Sequence, residues 1–116
     1  FNTIHHMVTE VIGKLKSNTR EIDIFKALFP GGSITGAPKQ RAIEIIDDIE
    51  KYSRGIYTGS MGIISNTGDM IFNIAIRTLT LKDNSIKYPV GGGIVWDSDP
   101  DEERMEAIQK SKILSI

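Results

Sequence analysis

Six carboxylates, Asp97, Asp99, Asp101, Glu102, Glu103 and Glu106, crowd into ten residues near the end of this chain, opposed only by Arg104. Asp99 to Glu102 stand where a helix should begin, and negative charge there complements the helix dipole. Glu103 and Glu106 differ, because three residues apart they share a helix face and repel each other. Paired hard oxygen ligands suit Mg²⁺, which keeps several waters and needs only one or two protein carboxylates. Lys110, one turn past Glu106, supplies the counter-charge in the absence of a metal, and a solvated acidic face accounts for the same pattern.

Two glycine-rich segments offer backbone donors. Pro30 to Lys39 (PGGSITGAPK) contains Ser33 and Thr35 and opens a helix, so its N–H groups can face an anion. Gly31 and Gly36 have the spacing of a phosphate-binding P-loop, but Ala37-Pro38 follows where Lys-Ser/Thr is needed. A tight helix–helix turn explains the segment equally well. Gly91-Gly92-Gly93 lacks the third glycine of a dinucleotide fingerprint, since Trp96 occupies that place and a strand-like run follows. Three bare glycines still let a carboxylate approach backbone N–H groups, or simply mark a bulge. Arg77 ends the apolar run Ile74-Ala75-Ile76, a costly place for a guanidinium unless it meets a carboxylate of the protein or of a ligand. Tyr57 can serve as a core aromatic or as a hydroxyl donor. His5 and His6 are adjacent on an expected strand and point to opposite faces, which makes a weak metal site.

The elements expected to hold these groups form an α+β arrangement, helices packed on an antiparallel meander. Phe1 to Leu15 alternates as a strand does. Ser17-Asn18-Thr19 caps a short helix bearing Ile22, Ile24, Phe25, Leu28 and Phe29, which Pro30-Gly31-Gly32 ends. A second helix is expected from Gly36 to Glu50, with Thr35 as its N-cap and Ala42, Ile45, Ile46 and Ile49 as a core-facing stripe. From Tyr57 the period becomes two. Met61 to Ser65 and Met70 to Arg77 flank the turn Asn66-Thr67-Gly68-Asp69, Thr78 to Leu81 continues the second strand, and Ile86 to Val90 forms a third. The run Ile94-Val95-Trp96 extends the meander. A last helix runs from Pro100 to Leu114, with Asp99 as cap and Pro100 at its first position.

Composition narrows the possibilities. With 116 residues the chain is one domain or a piece of one. Fourteen basic against 15 acidic residues give a net charge of −1, without the basic footprint that nucleic-acid binding requires. The absence of cysteine excludes disulfides, a thiol nucleophile and Cys-ligated metals. No apolar run approaches the roughly 18–20 residues of a membrane span. The chain starts at Phe1 with neither an initiator Met nor a signal-peptide pattern, so the expectation is a piece excised from a longer, cytoplasmic protein.

Taken in order, IHHMVTEVIGKL, FPGGSITGAPKQRAIEII, RGIYTGSMG, IAIRTL and GGGIVWDSDPDEERMEAIQK resemble the C-terminal part of the chorismate-utilising enzymes. Residues 1–116 would then be the C-terminal portion of a single chorismate-binding catalytic domain. The PGGSITGAPK loop is most similar to that of the aminodeoxychorismate synthases, with the anthranilate synthases as the alternative. The resemblance implies that Glu106 is an Mg²⁺ ligand supported by Glu103, and that Tyr57 and Arg77 bind the enolpyruvyl carboxylate of chorismate. It implies further that Gly91 and Gly93 donate to the ring carboxylate and that His6 lies near the departing hydroxyl. Ser33 and Thr35 would line the ring, with Lys110 close to the acidic pair. Gly92 stands where alanine is frequent, a departure expected to matter little. Ammonia would come from a glutamine amidotransferase subunit. The lysine loop and the second metal-binding glutamate of the family would lie before Phe1, leaving these 116 residues inactive alone. A non-catalytic anion-binding module is the remaining reading.

Overall fold

The computed structural model of the protein describes residues 8–114. In chain order these form α1 (Glu21–Leu28), α2 (Gly32–Thr35), α3 (Lys39–Ile49), β1 (Ser60–Ile64), β2 (Met70–Ile74), β3 (Thr80–Lys82), β4 (Ser85–Lys87) and α4 (Pro100–Ser111), closed by a 3₁₀ turn at Lys112–Leu114. Helices with small antiparallel sheets make the arrangement α+β, as the patterning indicates.

Local capping chemistry decides where the helices start. The α1 N-terminus is closed by Asp23, which accepts from the Arg20 backbone N–H at 3.2 Å and pairs with its guanidinium at 2.9 and 3.0 Å. Ser17-Asn18-Thr19 does not cap it: the Thr19 hydroxyl turns back to the Lys16 carbonyl at 2.8 Å. The helix expected from Gly36 begins only at Lys39. Thr35 belongs to α2, where its hydroxyl donates to the Gly31 carbonyl at 3.1 Å. Gly36 then takes φ +132°, a break that favours glycine, and a Cβ there would come within 3.1 Å of the Ala42 Cβ. Ala37, preceding a proline, is disfavoured from helical geometry, so α3 starts after Pro38. The α4 start matches its signals, with the Asp99 carboxylate accepting from the N–H groups of Asp101 and Glu102 at 2.9 and 3.0 Å.

β1 and β2 pair antiparallel with Gly62 opposite Phe72 and Ile63 opposite Ile71. The pairing continues past the strand ends, where Ala75 donates to the Gly59 carbonyl and Thr58 to the Ala75 carbonyl at 3.0 and 2.9 Å. Ala75 is the one fully buried apolar residue among those described. One face of this hairpin is covered. Phe25 of α1 meets Phe72 edge-on at 4.5 Å, and Gly31 lies against Ile74. The opposite face is open, with Ile63 76% and Ile71 80% exposed.

The continuous meander does not form. Arg77 adopts φ +53° and ends the pairing, so β3 and β4 make a separate hairpin with Thr80 opposite Lys87. Residues 8–15 and Ile94-Val95-Trp96 form no strand, and Val11 and Trp96 are 89% and 99% exposed. The expected core stripe of α3 is only half realised. Ala42 and Ile46 are half-buried, whereas Ile45 and Ile49 are exposed. The chain accordingly presents 10661 Å² of accessible surface, against roughly 6,300 Å² for a compact monomer of its mass. Its radius of gyration is 16.9 Å, where about 13 Å is usual for this length. Among the described residues no helix is long and apolar enough to cross a membrane.

Candidate active site

The chemistry-bearing residues gather where the turn after α3 and the face of α4 meet the glycine segment 91–93. The turn is tight. Gly55 and Thr58 have φ +62° and +66°, and the N–H groups of Tyr57 and Gly59 donate to the carbonyls of Arg54 and Ile56. This geometry sends the Tyr57 hydroxyl to Gly91, so close that a Cβ at Gly91 would lie 2.8 Å from it. A side chain at Gly91 would therefore push the phenol from this position.

From the other side, α4 reaches the same segment. Lys110 donates to the Gly91 carbonyl at 3.0 Å and pairs with Glu106 one turn back. The Glu103 Oε1 accepts from the Ser98 hydroxyl at 2.6 Å, and Ser98 in turn accepts from the Val95 N–H at 3.0 Å. The Glu103 Oε2 is buried without a hydrogen-bond partner, 2.7 Å from where a Gly92 Cβ would stand. Gly92 therefore matters more than its sequence position suggested, because an alanine there would press on the Glu103 carboxylate.

Lys110 occupies the Gly91 carbonyl, whereas the N–H groups of Gly91, Gly92 and Gly93 have no acceptor among the described residues. A short run of unpaired N–H groups beside a lysine is a suitable cradle for a carboxylate. On the α4 side, a buried carboxylate oxygen without a donor is costly unless a cation or a proton meets it. The Glu103 carboxylate thus has the donor chemistry that a hard divalent ion accepts, with Glu106, paired here with Lys110, one turn further along α4. No group of three or more His, Cys, Asp or Glu placed to hold a metal occurs among the described residues.

The structure brings together Tyr57, Gly91, Glu103, Glu106 and Lys110, but not every residue singled out from the sequence. Gly93 continues the segment in open space. Arg77 lies beyond the end of β2, is exposed and has no carboxylate within 4.0 Å among the described residues. The cost of burying its guanidinium in an apolar strand therefore does not arise. Ser33 is exposed, and the Thr35 hydroxyl is used within its own turn. His6 lies outside the described residues.

Two participants, Ser98 and Arg54, escaped the sequence reading, as did the contact that Gly92 makes. Ser98 holds Glu103, Gly92 makes room for it, and Arg54 pairs with Glu50 beneath Tyr57. Arg54 carried a usable signal, because Glu50 precedes it by four residues at helical pairing distance. A groove of about 580 Å³ lined by Ile46, Glu50, Tyr52 and Arg54 includes none of the glycine segment.

The model of the chorismate binding enzyme family matches residues 1–115, and the chain belongs to that family. It is 44% identical over 114 residues to anthranilate synthase component 1 of Aquifex aeolicus (strain VF5). It is 43% identical to an anthranilate synthase component I-like protein of Synechocystis sp. and 41% identical to anthranilate synthase component 1 of Saccharolobus solfataricus. Each alignment covers 98% of this chain but only 23%, 24% and 27% of the relative, so the chain spans about a quarter of the length of the curated relatives it matches.

Proposed function

We propose that these 116 residues are the C-terminal portion of a longer catalytic domain that aminates chorismate with ammonia from a glutamine amidotransferase partner. The observation that carries the reading is the convergence of Tyr57, Glu103 and Lys110 on Gly91 and Gly92, in a segment whose N–H groups are unpaired among the described residues. Chorismate bears two carboxylates, and the residues present divide between them. The Gly91 and Gly93 N–H groups receive the ring carboxylate. Tyr57 orients the enolpyruvyl carboxylate by its hydroxyl, and Arg77, free of protein partners among the described residues, comes to it as a bidentate donor. Glu106 and Glu103 would hold Mg²⁺. When bound, the ion neutralises carboxylate charge as the ring hydroxyl leaves. Ser98 fixes which Glu103 oxygen stays available, and Lys110 holds Glu106 on the same side of α4. His6 attends the departing hydroxyl, with Ser33 and Thr35 along the ring.

For the product we favour anthranilate, the reading supported by the names of the relatives, over the 4-amino-4-deoxychorismate that the PGGSITGAPK loop suggested. The second reading keeps one specific support, the Ser33-Ile34-Thr35 sequence itself. Incubating the complete domain with chorismate, ammonium and Mg²⁺ decides between them. Fluorescent anthranilate forming without any added lyase is the expected result. Aromatic product that appears only after a lyase is added selects 4-amino-4-deoxychorismate. Chorismate left unchanged by the folded complete domain overturns both, and turnover by the 116 residues alone overturns the assignment of a partial site.

A further inference from the structure

We propose that Arg54 is the positioning residue for Tyr57, a clamp that sets where the phenol meets the glycine segment; the proposal rests on the substrate-binding role given to Tyr57 above. Its guanidinium faces three ways. Nε and Nη2 form a bidentate pair with the Glu50 carboxylate at 2.7 and 2.6 Å, where α3 ends. Nη1 donates to the Thr58 hydroxyl at 3.3 Å. The guanidinium carbon lies 5.9 Å from the centre of the Tyr57 ring, within cation–π range.

These contacts tie Tyr57 to fixed structure on both sides. Thr58 is held at φ +66° and donates its N–H to the carbonyl of Ala75, so the residue after Tyr57 is anchored to the buried point of the hairpin. Glu50 anchors the other side to α3. Both partners of the ion pair are only 24% exposed, so the pair is partly shielded from water, unlike the exposed Arg20–Asp23 pair. Arg54 makes no contact with the glycine segment among the described hydrogen bonds, so it acts through Tyr57. Lysine cannot replace it, since an ammonium lacks the planar fork that grips a carboxylate and stacks on a ring at once.

The test is a double-mutant cycle in the complete catalytic domain, with Arg54→Lys, Tyr57→Phe and both together, read as kcat and KM for chorismate. Arg54→Lys should raise KM about tenfold with kcat within about twofold, the mark of lost binding common to ground and transition states. In the Tyr57→Phe background the same substitution should cost less than about twofold, because the group it positions is already gone. Glu50→Gln keeps an acceptor and should raise KM about threefold, giving a second reading if Arg54→Lys folds poorly. An unchanged KM in either folded variant, or a full tenfold effect on top of Tyr57→Phe, overturns the proposal. A wild-type domain that does not saturate with chorismate overturns the substrate reading instead.

Discussion

The turn-and-hairpin region, Arg54 to Ala75, and the glycine segment, Pro89 to Ile94, meet at one contact but are held in place by different means. The first is tied main chain to main chain, through the β1–β2 ladder and its extension at Thr58, Gly59 and Ala75. From Pro89 to Ile94 no backbone group bonds to another backbone group among the described residues. Side chains hold this segment instead: Lys110 on the Gly91 carbonyl, Tyr57 against Gly91 and Glu103 against Gly92. A segment fixed in this way keeps its N–H groups available for a ligand, at the cost of depending on α4. Substitutions in the β1–β2 ladder should therefore register first in stability, and substitutions on α4 or at the Tyr57 contact first in function.

The sharpest challenge to that division is Glu106→Gln in the complete domain. The change keeps the size of the side chain but removes the charge that faces Lys110 and the proposed ion. We expect kcat/KM for chorismate to fall by roughly 10²–10³-fold, with thermal stability nearly unchanged, because Glu106 is exposed and outside any core. A comparable fall in melting temperature would show α4 to be structural and would erase the contrast.

A middle-sized effect separates the holder from the held. Ser98→Ala removes the donor to the Glu103 Oε1, and Gly92→Ala pushes on its Oε2. Groups that orient a metal ligand typically contribute about 10–100-fold in metal affinity. Ser98→Ala should raise the Mg²⁺ concentration for half-maximal activity by about tenfold, and Gly92→Ala by about threefold, since a carboxylate end can swing aside. Half-saturation unchanged in both variants would detach Glu103 from the metal.

The same distinction explains what could be read from the sequence. The α4 start was legible because Asp99 and Pro100 act within one turn, and the hairpin because Asn66-Thr67-Gly68-Asp69 turns on itself. Alternation at Val8 to Leu15 and the Ile45–Ile49 stripe state which face avoids water, not what covers it; among the described residues no strand or helix does. Arg77 was misread for a related reason. Its run is apolar, but the backbone leaves the ladder after Ala75. Within the site, the pairs at short spacing, Glu106 with Lys110 and Ser98 with Glu103, lie within reach of spacing arguments. The contact of Tyr57 with Gly91 spans two elements and a separate hairpin, so no periodicity encodes it. The resemblance named both residues without saying that they touch.

The smallest expected effect concerns the two ion pairs that flank the helices. Arg54 hydrogen-bonds to Glu50 and holds its carboxyl below the ordinary value of 4.5, against an opposing push from burial. The folded state therefore takes up this proton less readily than the unfolded chain, and stability rises with pH across the interval between the two values. The contribution is complete above about pH 4.5 and disappears as pH falls through the lowered folded value. Glu50→Gln in the complete domain should thus lower the unfolding midpoint at pH 6–7 by an amount corresponding to at most about 1 kcal/mol, and the gap to wild type should close as the pH falls below the ordinary carboxylate value of 4.5. Asp23 is shifted in the same direction by Arg20, yet that pair is 70% and 39% exposed, and screening by water and salt leaves it little to lose. Asp23→Asn should therefore show a smaller gap that vanishes in moderate salt. Equal gaps for the two substitutions, both surviving salt, would mean that the clamp at Arg54 is no better shielded than an ordinary surface pair.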